Sequence, residues 1–143
     1  MITEMKQHEL AHVLNIWLET NIDTHHFIDK EYWNNLYPLV KELLPIASIY
    51  VYRINGHIAG FIGLQDQFIE GIFVDKKYQS KGYGKELLNY VKYKNKELKL
   101  KVYKKNKSAL NFYLREQFVI VDESMDTNTS EWELTLRWLS TNA

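Results

Sequence analysis

Twelve residues, Val74-Asp75-Lys76-Lys77-Tyr78-Gln79-Ser80-Lys81-Gly82-Tyr83-Gly84-Lys85, constrain this chain more than any other segment. They join the end of an apolar strand to the start of an amphipathic helix through a Gln-x-x-Gly-x-Gly loop. Such a loop aims backbone N–H groups at one point, and the helix behind it adds the positive end of its dipole. The ligand that fits this arrangement is a phosphate.

The rest of the composition narrows what surrounds that loop. At 143 residues the chain suits one domain, 1–143, with a real core. Ten Tyr, six Phe and four Trp are more aromatics than a disordered chain carries. Zero net charge gives no electrostatic argument for nucleic acid or membrane. The absence of Cys excludes a disulfide scaffold, a cysteine nucleophile and a thiolate metal site. The N-terminus lacks the apolar core of a signal peptide, and no apolar run reaches membrane-spanning length. A soluble, cytoplasmic protein is expected.

Periodicity orders the elements. Ile2 to Met5 reads as a short strand. Leu10, Val13, Leu14, Trp17 and Leu18 give a helix over Gln7–Thr20 with one apolar face. A second helix is expected from about Asp29, a suitable N-cap, to Leu44, with Pro38 kinking or splitting it and Pro45 ending it. Ser48–Ile54 and His57–Leu64 form a hairpin through a type I′ turn at Asn55-Gly56. A third strand, Phe68–Val74, leads into the glycine loop and its helix, whose face carries Gly84, Leu87, Leu88 and Val91. Strand Leu98–Tyr103, helix Ser108–Glu116 and strands Phe118–Val121 and Glu131–Leu136 complete a β-α-α-β-β-β-α-β-α-β-β order. This is an α/β layer fold with a mixed sheet.

Two other uses of a glycine loop do not fit. A dinucleotide fold places Gly-x-Gly-x-x-Gly after its first strand, and here the third glycine is missing and the strand is the fourth. A P-loop needs Gly-Lys-Ser/Thr, and Gly84-Lys85-Glu86 lacks the hydroxyl. What does fit is the loop together with Asn106-x-x-Ala109-x-x-Phe112-Tyr113 one strand later. This pair resembles motifs A and B of the GNAT superfamily of acetyl-CoA-dependent N-acetyltransferases, and the resemblance covers the whole chain. The segments around Trp17, His25-x-Phe27-Ile28, Tyr32-Trp33 and Pro38-Leu39-Val40 resemble the small bacterial YiaC/YjaB-type group within it.

The resemblance implies the GNAT acyl-CoA N-acyltransferase fold: a mixed, mostly antiparallel sheet flanked by helices, with strands 4 and 5 splayed. Acetyl-CoA, as cosubstrate, would lie in the gap, its pantetheine arm against the strand of Ile72, Phe73 and Val74. Its thioester carbonyl would meet a backbone N–H near Val74. Its pyrophosphate would sit on the N–H groups of Gln79, Ser80, Lys81, Gly82, Tyr83, Gly84 and Lys85. Glycines at 82 and 84 keep a Cβ out of the phosphates' way. Lys76, Lys77, Lys81 and Lys85 add positive charge. A helix N-terminus contributes only about 0.3–2 kcal/mol per anion, so the several N–H bonds supply most of the hold. Ala109 and Phe112 belong to the second motif.

The resemblance makes Tyr113 the acid that protonates the departing CoA thiolate; by residue type alone it is equally a core aromatic. Asn106 is either a cofactor contact or the turn before the last helix. For the base, some protein-acetylating relatives place a Glu where this chain has Phe68. Glu70, two residues on and on the same strand face, is the candidate; otherwise it is a solvated edge charge. In the alternative, Phe68 walls the acceptor slot and a water chain to the backbone deprotonates the amine. His25 could relay a proton or be a surface histidine, and Trp17, Tyr32 and Trp33 could line an acceptor pocket or pack in the core. No residues stand at metal-ligand spacing, so no metal is expected.

Lys92 to Lys107 holds eight lysines and one acid, Glu97. The lysines alternate with Leu98, Leu100 and Val102, so the run is a solvated face rather than a nucleic-acid surface. Gln117 stands where the family has a helix-ending glycine. A left-handed Gln there costs about 1 kcal/mol, unless the turn differs.

The expected function is direct acetyl transfer from acetyl-CoA to a primary amine in a ternary complex, with a protein lysine or N-terminal amine favoured. The alternatives are a polyamine or antibiotic-type acceptor and a non-catalytic acyl-CoA-binding regulatory module. The expected partners are acetyl-CoA and the amine, with no nucleic acid or membrane, in a monomer or homodimer.

Overall fold

Where apolar residues recur at three- and four-residue intervals the chain is helical, and where they alternate it is extended, in the order expected from sequence. The computed structural model describes residues 1–141. The strands are β1 (Ile2–Glu4), β2 (Ser48–Ile54), β3 (His57–Gln65), β4 (Phe68–Val74), β5 (Glu97–Tyr103), β6 (Val119–Asp126) and β7 (Glu131–Leu139). The helices are α1 (Leu10–Thr24), α2 (Lys30–Leu43), α3 (Tyr83–Lys94) and α4 (Lys107–Arg115).

The strands form one sheet in the order β1-β2-β3-β4-β5-β7-β6, antiparallel except where β4 meets β5. Asn55 and Gly56 turn the β2–β3 hairpin at φ 50° and 82°, both in the left-handed region that a type I′ turn requires. On one face α1 and α2 pack over β2 to β4, burying Val13, Leu14, Trp17, Trp33 and Phe61. On the other, α3 and α4 pack Leu87, Leu88, Val91 and Tyr113 against Leu98, Leu100 and Leu136. Each fully buried side chain of this kind contributes roughly 1.5–3 kcal/mol.

Several boundaries differ from the sequence expectation. A 3₁₀ turn at Gln7–Glu9 precedes α1, which runs past Thr20 to Thr24. Thr20 Oγ1 donates to the Ile16 carbonyl at 2.6 Å and Asn21 Nδ2 to the Trp17 carbonyl at 2.9 Å, so both polar side chains are satisfied inside the helix. Pro38 lies within α2 without dividing it, and Asp29 caps that helix through Glu31 N–H at 2.9 Å. β6 extends to Asp126 as an exposed edge strand, whose polar second half gives no apolar alternation to read.

An ion pair fastens the N-terminal elements. Arg53 on β2 binds both carboxylate oxygens of Glu9, which is 8% exposed, and donates from Nε to Thr3 Oγ1 at 2.9 Å. The guanidinium holds the Glu9 carboxyl down at about 2, against an ordinary 4.5.

Candidate active site

β4 and β5 begin as neighbours and then part. They pair in parallel only at Phe68–Lys99 and Ile69–Leu100. Beyond that point β4 keeps its bonds to β3, while its other edge faces the gap. A bulge falls just there: Gly63 pairs with Gly71 and Leu64 with Ile69, leaving Glu70 as the extra residue. Gly71 is needed at this bend, because the Phe73 ring folds over it and a Cβ would meet ring carbons at 2.4 and 2.5 Å. The gap opens into a cleft of about 1110 Å³.

The loop closes one end. Asp75 accepts from Lys77 N–H at 3.1 Å, and Gln79 Nε2 donates to the Val74 carbonyl at 2.9 Å, tying the loop back to its strand. Gly82, at φ 87°, takes the left-handed turn into α3. Glu86 N–H makes the first helical bond, to the Gly82 carbonyl at 3.1 Å, and no side chain caps the N–H groups before it. Uncapped donors at a helix N-terminus, beside an unpaired strand edge, suit a pyrophosphate followed by an extended amide chain. Ile72, Phe73, Val74, Gln79, Ser80, Gly82, Tyr83, Gly84 and Lys85 all border the cleft; Lys81 does not, and is exposed outside it. A Cβ at Gly84 would meet the methyl groups of Ile72 and Val74 at 3.8 and 3.9 Å, ordinary packing distances, so α3 lies directly on β4 here.

α4 forms the opposite wall with Asn106, Ala109, Phe112 and Tyr113. Tyr113 is 7% exposed, between the rings of Phe112 and Phe118 at 5.2 and 5.5 Å. Its hydroxyl bonds to nothing among the described residues, and burial pushes its pKa up, keeping the phenol protonated. Asn106 caps α4, its Oδ1 accepting from Ala109 N–H at 3.3 Å, and its Nδ2 reaches His25 Nε2 at 3.4 Å.

His25 is therefore no surface residue. It stacks on Trp33 at 5.2 Å and lies edge-on to Tyr103 at 5.3 Å. Burial lowers its pKa to about 4, so the ring is neutral near pH 7. Because Nε2 accepts from Asn106, the proton resides on Nδ1. Trp33 and Trp17 are core residues that also border the cleft, whereas Tyr32 packs beside Trp33 at 4.9 Å without bordering it.

Phe68 and Glu70 border the cleft on the side of α1. The surrounding protein raises the Glu70 pKa above that of a free carboxylate. Among the lining residues that sequence did not single out are Lys101, Tyr103 and Glu133. Their signal is topological, since Tyr103 pairs with Glu133 across β5 and β7 and Lys101 lies on the same face. Tyr103 donates to Asp126 Oδ2 at 2.7 Å. Among the described residues no group of three His, Asp or Glu is placed to hold a metal, and no helix is long and apolar enough to cross a membrane.

Residues 45–120 match the acetyltransferase (GNAT) domain family. Over 124 residues the chain is 38% identical to the peptidyl-lysine N-acetyltransferase YiaC of Escherichia coli K12, with 85% of each chain covered. It is 28% identical over 125 residues to the peptidyl-lysine N-acetyltransferase YjaB of the same organism, covering 86% of this chain and 84% of YjaB. The solution structure of apo YjaB from Escherichia coli matches 99% of this chain and 98% of its own, with TM-score 0.85 and 26% identity. The yncA structure from Salmonella typhimurium, with its cofactor acetyl-CoA, shares the fold at TM-score 0.69 and 14% identity, covering 97% and 92%.

Proposed function

The chain belongs to the GNAT family of acetyl-CoA-dependent N-acetyltransferases, and from that premise we propose that its acceptor is a protein lysine and that Tyr113 is the acid of the transfer. The observation that carries the acceptor is the 38% identity to a peptidyl-lysine acetyltransferase across most of both chains. The observation that supports Tyr113 is a protonated, unpartnered phenol in the cleft wall.

In this reading the backbone donors of Gln79, Ser80, Gly82, Tyr83, Gly84 and Lys85 hold the pyrophosphate, and the free edge of β4 orients the pantetheine arm. The lysine nitrogen attacks the thioester carbonyl carbon, a C–N bond forms and the C–S bond breaks. The departing thiolate takes the Tyr113 proton. Glu70 accepts the proton that the ammonium must lose: it borders the cleft at the β4 bulge, whereas His25 Nε2 is taken up by Asn106. Phe68 walls the acceptor slot, and His25 braces Asn106, and with it the start of α4.

The test is a panel of lysine peptides, N-terminal amines, spermidine and an aminoglycoside, assayed for CoA release, with the acetyl group located by mass spectrometry. Acetylation at a peptide lysine Nε is expected. Acetylation of the small amines alone would overturn the acceptor, and no release above blank would leave a binding module.

A further inference from the structure

The cleft carries cations on both sides: Lys85, Lys107 and Arg115 from α3 and α4, and Lys101 and Lys105 from β5 and the turn after it. Its carboxylates are Glu70 on the β4 bulge and Glu133 on β7. The acids around Glu133 are all engaged. Glu131 pairs with Lys105 and Glu123 with Lys104, each at 3.2 Å, and Asp126 accepts from Tyr103. Glu133 has no ion pair or hydrogen bond through its side chain among the described residues. It is half-buried, which raises its pKa, with the neighbouring Asp126 adding to the effect and Lys101 opposing it. Lys101 of β5 acts on it without a direct ion pair, so an ammonium in contact would supply the hydrogen bonds that the carboxylate lacks.

The same wall also presents an unsatisfied donor. Trp33, stacked on His25, is 6% exposed and its Nε1–H has no acceptor. Both residues border the cleft. A peptide brings carbonyl oxygens beside its lysine ammonium, whereas a protonated polyamine brings only donors.

We propose that Glu133 is the acceptor-recognition residue of this cleft, its carboxylate taking the ammonium of a lysine that arrives within a peptide. This rests on the reading of the chain as a lysine acetyltransferase. Register supports the placement: Glu133 stands opposite Tyr103 on the sheet face that α1 and α2 leave partly open, across β5 from Glu70. Glu133 holds the ammonium while Glu70 and Tyr113 handle protons nearer the thioester.

The experiment compares the native protein with Glu133→Gln and Glu133→Asp, using acetyl-CoA, a lysine peptide and the same peptide with norleucine for lysine. Glu133→Gln should raise the peptide KM about tenfold, the range expected for a lost charged hydrogen bond, with kcat changed less than threefold. Glu133→Asp should recover part of the loss. Inhibition by the norleucine peptide and the melting shift with acetyl-CoA should stay as in the native protein, which a merely structural role would not allow. A native KM in a folded Glu133→Gln protein overturns the proposal while leaving lysine acetylation intact. Failure of the native protein to acetylate the peptide overturns the underlying reading, and the role of Glu133 with it. If Glu133→Gln does not fold, a native KM in Glu133→Asp is the overturning result.

Discussion

The two ends of the cleft are built by opposite means. The donor end comes from one contiguous stretch, Ile72 to Lys85, where a strand edge, a tied-back loop and an uncapped helix start follow one another in the chain. The acceptor end is assembled from the α1–α2 connection, the β4 bulge, β5 and β7, joined by contacts such as His25–Asn106 across 81 residues of sequence. In the proposed reading the donor end works through backbone, which tolerates varied side chains but not altered φ. The acceptor end works through side chains and is where one family changes its partner.

That contrast can be broken experimentally. The largest effect should come where the two ends meet. Tyr113→Phe should lower turnover by roughly 10²–10⁴ while acetyl-CoA still raises the melting temperature; turnover near the native rate would remove the phenol from the chemistry. Next comes the donor end alone. Gly82→Val puts a β-branched residue at φ 87°, and should abolish the acetyl-CoA stabilisation, about 2.7 kcal/mol at a hundred times Kd in the native protein. A folded variant with the native shift would refute the backbone cradle.

Smaller effects should leave both ends untouched. Glu9→Gln strands Arg53 and should cost about 1–3 kcal/mol in denaturant midpoint without altering the KM for acetyl-CoA. Because the Glu9 pKa is depressed, the native pair's contribution is fully present above about pH 4.5. It fades as the pH falls toward about 2, so the gap between native and variant should close over that interval. Gln117→Gly should stabilise by roughly 0.5–1 kcal/mol, since Gln117 holds φ 75° and the relief exceeds the added chain entropy. A destabilised variant would show that the Gln side chain contributes more than the strain it carries.

The contrast also explains what sequence could disclose. Elements whose pattern is local, such as the Asn55-Gly56 hairpin and the Asp29 cap, are readable because their physics is contained in a few residues. The glycine loop is readable for the same reason. Gln117 left two outcomes open, and the chain keeps the left-handed turn, with Phe118 N–H bonded to the Tyr113 carbonyl at 3.0 Å. His25 looked as much like a surface residue as a relay, because nothing near it in sequence announces Trp33, Tyr103 or Asn106 as neighbours. Glu133 reads as the polar side of an alternating strand until β7 is paired with β5. The end of β6 was missed because an exposed edge strand has no apolar face to alternate.

Amide hydrogen exchange with and without CoA tests the account most directly, because it reads the backbone that the account makes responsible for the donor end. CoA should slow exchange at residues 72–74 and 79–85 and leave the amides of β1 and β2 unchanged. Saturating CoA without protection in those two segments, or with protection confined to other elements, would contradict it.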